Sequence, residues 1–244
     1  MEQIDTLLNG YKLIQDKEKF MYGIDAVLLS GFALSLVNKG DSLVDLGTGT
    51  GIIPLLLQSV SKGKEFTGLE VQTESAQMAQ KSVELNNLPN VRIITGDIKN
   101  VNQLFLKHSV EIVTCNPPYM INEHGRQCGT DAKSIARHEV LCTLDDVISA
   151  AEYLLKPHGT FCMIHRPFRL PEIFTTLAKY LLEPKRMQLI YPFADKEPNM
   201  VLIEAKKNAQ PWLKNEPPLI VRESSGEYTK QVDDIYNLFR GVGN

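Results

Sequence analysis

The sequence predicts an α/β fold: a mostly parallel sheet with helices on both faces and an antiparallel last hairpin. Three observations carry this. Short apolar runs alternate with amphipathic stretches at the spacing of βαβ units, glycine and proline fall singly between them, and the last two apolar runs have no helix between them.

Ser42–Leu46 is an apolar run ending in Asp45-Leu46-Gly47, and Gly51–Ser59 then reads as a helix. Glu65–Val71 predicts a second strand. Thr73–Asn86 follows as a helix, with Thr73 as N-cap and Ala76, Ala79, Val83 and Leu85 at helical spacing. Val91–Thr95 is a third strand, and Val110–Cys115 a fourth, apolar enough to be buried on both faces. Next come a helix at about Leu144–Leu155, a strand at Gly159–Ile164, a helix at about Leu170–Leu182, and strands near Arg186–Tyr191 and Met200–Lys206. Lacking a crossover helix, that last pair must run antiparallel. Residues 121–142 are polar and irregular, and a loop of that length predicts a lid.

With 244 residues, 43% of them apolar, the chain fits one domain: 1–40 an N-terminal cap segment, 41–208 the core, 209–244 a C-terminal extension. Asp5, Lys12, Asp16, Lys17, Glu18 and Lys19 leave no signal-peptide core near the N-terminus. The longest uncharged stretch, Ala26–Asn38, is shorter than the roughly 20 apolar residues that span a bilayer, so no membrane association is expected. Cys115, Cys128, Cys142 and Cys162 make no CxxC pair, so reduced thiols and a cytoplasmic location are expected. Net charge is −3, yet Lys156–Lys214 holds ten Lys/Arg against five Asp/Glu, a basic stretch that could meet a polyanion. Within it Lys185 and Arg186, with Lys206 and Lys207, read as a solvated face. Trp212 is expected to pack the C-terminal segment down.

Asp45-Leu46-Gly47-Thr48-Gly49-Thr50-Gly51 joins the first core strand to its helix, and three alternating glycines let backbone approach a ligand closely. The spacing G-x-G-x-G is not the G-x-G-x-x-G of a dinucleotide site, because residue 52 is Ile52. Glu70 ends the second core strand, where a carboxylate can accept from both hydroxyls of a ribose, and Asp97 ends the third, where it could accept from an amino group. The alternative for each, a turn residue or a helix cap, is the weaker reading beside the glycine loop.

Cys115-Asn116-Pro117-Pro118-Tyr119 follows the fourth strand. The lone pair of an exocyclic amine is delocalised into its ring, so transfer to that nitrogen needs the lone pair freed and aimed. The Asn116 side-chain oxygen and the Pro117 carbonyl can accept both N–H hydrogens, which favours a pyramidal nitrogen. Pro117 and Pro118 restrict the backbone, and Tyr119 can stack on a planar group. Such a base must be unpaired or flipped out. Neither a strong general base nor a metal is required. His124, Cys128, His138 and Cys142 make two H-x-x-x-C pairs but lack zinc-site spacing, so no metal is expected.

Together these segments resemble the Rossmann-like class I methyltransferases, whose sheet is seven-stranded. The glycine loop is similar to their motif I, and Asn-Pro-Pro-Tyr is shared by N6-adenine methyltransferases and by glutamine-amide methyltransferases of release factors. Tyr22–Leu29, Ala136–Glu139 and His165–Arg169 narrow the likeness to the bacterial tRNA adenine-N6 methyltransferases that modify the purine beside the anticodon of a valine tRNA. The resemblance implies S-adenosylmethionine as cofactor and tRNA as partner; the sequence leaves the oligomeric state open, with a monomer favoured. It assigns Tyr22, Asp25, Asp45, Gly47, Thr48, Gly49, Gly51, Glu70 (ribose), Asp97 (adenine), Ile98 and Asn116 to the cofactor, though Asp25 also suits a helix N-cap. Arg137 and His138 in the lid, with Arg166 and Arg169 past the fifth core strand, would meet RNA phosphate. A release-factor methyltransferase would carry an N-terminal helical bundle, for which the forty residues before the glycine loop leave no room. An rRNA base methyltransferase and a non-catalytic RNA-binding module stay open as alternatives.

Overall fold

The computed structural model describes residues 2–16, 22–117 and 142–240. The core elements are β3 (Ser42–Leu46), α2 (Ile52–Val60), β4 (Glu65–Glu70), α3 (Thr73–Leu85), β5 (Val91–Thr95), α4 (Val101–Leu104), β6 (Val110–Cys115), α5 (Leu144–Leu154), β7 (Leu155–His165), α6 (Leu170–Lys179), β8 (Leu182–Phe193) and β9 (Met200–Lys207). Ahead of them lie β1 (Glu2–Thr6), β2 (Lys12–Asp16) and α1 (Ile24–Leu34); behind them lie β10 (Lys214–Asn215), β11 (Leu219–Arg222) and α7 (Lys230–Leu238).

The sheet runs β8-β9-β7-β6-β3-β4-β5, the seven strands expected, and β9 alone among these runs against its neighbours. The extension adds two strands: β10 and β11 pair in parallel with successive parts of β8, making nine in all. That edge would otherwise present a row of unpaired N–H and C=O groups. Alternation along the strands builds two cores. Leu43, Phe66, Val91, Ile112, Cys162 and Ile164 face α1, α2, α3 and α7; Val44, Leu46, Leu69, Val113, Phe161 and Met163 face α4, α5 and α6.

The hairpin β1/β2 is absent from the sequence reading. Its signal is Asn9-Gly10, with Gly10 at φ 85°, between two alternating runs. It is tied to α3, where the Ser82 hydroxyl accepts from Ile14 N–H at 2.9 Å and Asn86 bonds both the N–H and the carbonyl of Lys12. Element ends also differ from expectation. Gln72, not Thr73, is the N-cap of α3, because Glu70 takes the Gln72 N–H and completes the turn one residue early. α6 stops at Lys179, with Leu181 at positive φ before β8 begins, and both β7 and β8 are longer than expected. Trp212 is 73% exposed and packs nothing down.

The expected solvated face is half built into the fold. Lys207 is 3% exposed, pairs with Glu152 at 2.7 Å and donates to the Leu155 carbonyl at 3.0 Å. Arg186 donates to Glu204 at 2.7 Å and to the Phe32 carbonyl at 2.8 Å, with its guanidinium 3.8 Å from the Phe32 ring centre, so it ties α1 to the far side of the sheet. Lys185 and Lys206 stay nearer solvent. Arg186→Ala leaves the Glu204 carboxylate, 13% exposed, without its partner, and should cost about 2–4 kcal/mol in urea denaturation. Arg186→Lys should recover less than half of that, since an ammonium cannot fork to both acceptors. An alanine cost below about 0.5 kcal/mol would return this residue to the solvated face.

Candidate active site

Chain order in the sheet reverses at β3, which has β4 on one side and β6 on the other, and their carboxyl ends open a crevice there. Leu46 stands opposite both Leu69 and Cys115 in the register, so the turns leaving β3, β4 and β6 start side by side. Asp45 lies at 1% exposure in this junction and accepts from the Thr114 hydroxyl of β6 at 2.7 Å. Burial pushes its carboxyl up to about 7, opposed by the Thr114 and Thr48 hydroxyls and aided by the nearby Glu70 charge. The Thr48 hydroxyl sits close to that carboxylate but outside bonding geometry, so Asp45 Oδ2 and Thr48 Oγ1 are buried polar atoms without a hydrogen bond among the described residues.

The glycine loop folds onto β4. Gly47 and Thr48 donate to the Leu69 carbonyl, at 2.8 and 3.0 Å, and Gly49 donates to Glu70 Oε2 at 2.9 Å. Gly47 and Gly49 have φ of 70° and 57°, and a Cβ at either would meet nothing within 4 Å. The loop therefore needs glycine for its backbone shape and lines open space. Gly51 instead packs against Ala79. Glu70, 5% exposed, spends one lone pair of each oxygen on Gly49 and Gln72, which leaves acceptor capacity on both. Asp97 is a cap, as one of its two readings has it: Oδ1 accepts from Lys99 N–H at 2.9 Å at the start of the short turn Ile98–Asn100. Orphaned buried acceptors, an open glycine cradle and carboxylates at the ends of β4 and β5 suit a cationic, ribose-bearing ligand.

Asn116 and Pro117 leave β6 beside this cradle. Asn116 Nδ2 donates to Asp25 Oδ2 at 3.0 Å. Asp25 is the second residue of α1, whose N-cap is Gly23, so its expected capping role is replaced by this contact. A cavity between Gly47, Cys115 and Pro117 is walled by Ile98, Val147, His165 and Arg169. His165 carries no role in the sequence reading, although its place directly after a predicted strand is a signal. It is 1% exposed, and burial together with the Arg169 guanidinium lowers its pKa to about 4, so the ring is neutral. Nδ1 accepts from Arg166 N–H at 2.7 Å, and Nε2 lies 3.5 Å from Arg169 Nη1. Tyr22 is half-buried among Asp5 and Tyr228, against the core under α1.

Of the residues expected to meet phosphate, Arg166 donates to the Asn199 carbonyl at 2.8 Å, and Arg169 makes two bonds to Glu172, at 2.8 and 2.5 Å. Pro118, Tyr119, Arg137 and His138 lie outside the described residues, as do His124 and Cys128 and the proposed lid except Cys142. The basic stretch is largely paired: Lys156, Arg169, Lys179, Arg186, Lys196, Lys207 and Lys214 all form ion pairs, and Glu111, Asp145 and Glu152 come from outside it.

Residues 37–216 match the methyltransferase domain family. Among curated relatives, the tRNA1(Val) (adenine(37)-N6)-methyltransferase of Proteus mirabilis is 27% identical over 231 residues, covering 91% of this chain and 89% of the relative. The protein of the same name from Photobacterium profundum is 25% identical, covering 85% of each. Among solved structures, a predicted O-methyltransferase from Agrobacterium tumefaciens superposes with TM-score 0.71 at 23% identity, over 90% of this chain and 98% of that one. A geranyl diphosphate C-methyltransferase from Streptomyces coelicolor, bound to S-adenosyl-L-homocysteine, gives 0.56 at 17% identity, over 74% and 80%.

Asp45 gives the site a pH signature. In the unfolded chain it ionises near its ordinary 3.8, and in the fold near 7, so between those values the folded state binds the extra proton. Stability from this group is then present below about pH 4 and lost as pH rises through 7, by up to about 4 kcal/mol. Asp45→Asn removes the titration. Its unfolding free energy, measured in urea from pH 5 to 8, should gain on the parent as pH rises; parallel curves would show that Asp45 ionises normally.

Proposed function

The chain belongs to the methyltransferase domain family and uses S-adenosylmethionine, and on that premise we propose that it methylates adenine N6 in a tRNA, beside the anticodon. The observation that carries the chemistry is Asn116-Pro117 at the carboxyl end of β6, adjoining the glycine cradle at the sheet's reversal. The tRNA substrate rests on the activity of relatives named as tRNA1(Val) (adenine(37)-N6)-methyltransferases that align over most of this chain, and the same likeness supports a cytoplasmic location. Among the described residues no helix is long and apolar enough to cross a membrane.

In this reading Glu70 would hold the ribose hydroxyls, Asp97 and Ile98 would flank the adenine, and Gly47-Thr48-Gly49 with Asp45 would line the methionine end. The bound cofactor supplies an electrophilic methyl group. Asn116 Oδ1 and the Pro117 carbonyl accept the two N–H hydrogens of the target amine and aim its lone pair. As the N–C bond would form and the methyl carbon's bond to sulfur would break, with its electron pair leaving on the neutral thioether, the nitrogen would become acidic, and its proton would pass by way of these oxygens to water. Tyr119 would stack on the extruded base, and Arg137, His138 and Arg166 would contact phosphate.

The deciding experiment digests tRNA from cells lacking the gene and looks for a missing N6-methyladenosine that the purified protein restores. Methylation of a release-factor glutamine with no action on tRNA would end the RNA reading. Asn116→Ala should keep cofactor affinity and lose roughly 10²–10³ in rate, whereas Glu70→Ala should weaken cofactor binding at least about tenfold in calorimetry, having lost charge-assisted bonds. The reverse pattern would exchange the two roles.

The Glu172 pairing separates the two arginines. Arg166→Ala should weaken binding of any tRNA and flatten log K against log salt by about 0.7–0.9, while Arg169→Ala should change the slope by less than half as much. Equal slopes for both variants would mean that the Arg169 fork leaves Glu172 for phosphate.

A further inference from the structure

We propose that Asp25 is the positioning residue that decides which end of the Asn116 amide faces the target amine; this rests on the reading above that Asn116 Oδ1 receives that amine. The two residues are 91 positions apart, one in the first turn of α1 and one at the end of β6, and they meet through Asn116 Nδ2 and Asp25 Oδ2 at 3.0 Å. The other carboxylate oxygen accepts from Ala26 N–H at 3.0 Å, so both oxygens are held.

An amide is nearly symmetric in shape and opposite in chemistry at its two ends. A half turn about its last torsion exchanges an acceptor for a donor, and the donor end would push the amine hydrogens away. A carboxylate only accepts. With Asp25 on one side, the NH₂ end is drawn there, and the alternative orientation would set two oxygens against each other in a site where Asp25 is 8% exposed. Oδ1 is thereby directed away from Asp25. The charge also polarises the amide through its hydrogen bond, which makes Oδ1 the stronger acceptor.

The surroundings hold Asp25 in place. A Cβ on residue 23 would come within 2.7 Å of Asp25 Oδ1, so Gly23 leaves room for the carboxylate. Two positions into a helix, the negative charge also meets the favourable end of the helix dipole. α1 itself is anchored by Arg186 at the Phe32 carbonyl and by close approach of Gly31 to Ile235 of α7. A role of Asp25 in holding the cofactor makes opposite predictions in the following experiment.

Parent, Asp25→Asn, Asn116→Asp and the double variant are compared for kcat on undermethylated tRNA and for S-adenosylmethionine affinity by calorimetry. Asp25→Asn has the parent's shape but can present either a donor or an acceptor, so kcat should fall roughly 10–100-fold with cofactor affinity within about twofold. Asn116→Asp puts two carboxylates face to face. In that background Asp25→Asn should speed the reaction, because the amide introduced at position 25 can then donate to the carboxylate introduced at position 116. A residue that merely bound cofactor or supported the fold would slow both backgrounds. The same sign in both, or a loss of cofactor affinity matching the loss of rate, overturns the proposal. As a readout without turnover, protein labelled with ¹⁵N-asparagine should show the Asn116 side-chain amide, assigned by its absence in Asn116→Ala, shifting on Asp25→Asn; an unmoved signal also overturns it. If the parent leaves tRNA unmethylated, the functional reading falls, and the amide signal still tests the contact.

Discussion

The hydrogen bond from Thr114 to Asp45 joins the two strands at which the sheet reverses its order, and the rest of the site is arranged around it. The reversal sends one crossover to each side and leaves the strand ends uncovered between them. Leu46 opposite Cys115 then fixes how closely the glycine loop and Asn116 approach each other. A carboxylate with an unbonded oxygen, buried at this strand junction, costs stability that a leucine would not. Polar groups kept at a cost where two strands diverge mark a ligand site rather than a core.

Electrostatics along the chain and in space tell different stories. The stretch from Lys156 to Lys214 is basic in sequence, but the crossovers lay it against acidic residues from the preceding segment: Lys156 meets Glu111, Lys179 meets Asp145 and Lys207 meets Glu152. Paired charges present a weak field beyond a Debye length. The basic stretch is therefore largely neutralised within the fold, and its sequence charge overstates its field in space.

Both ends of the described chain serve one face of the sheet. The β1/β2 hairpin braces α3, and α7 packs over α1, the helix that carries Asp25. The extension also caps β8 with two short strands. The segments flanking the core thus pack around the helix that meets Asn116, and the clamp formed by Arg186, Phe32 and Glu204 ties that helix to the far edge of the sheet.

From sequence alone came the order of the core strands and helices, the antiparallel last pair, the glycine loop, Glu70, Asp97 and Asn116, because each is written in local periodicity or in a short motif whose backbone demand is local. The β1/β2 hairpin is equally legible, in Asn9-Gly10, yet stands outside that reading. What tertiary structure decided is partnership. It buried Lys207, left Trp212 in solvent, brought His165 into the cavity wall and set Asp25 against Asn116. The reason is physical: a side chain's propensity depends on its neighbours in sequence, but its charge, burial and hydrogen bonds depend on groups up to 91 positions away, which only the crossovers of the sheet bring within 3.0 Å.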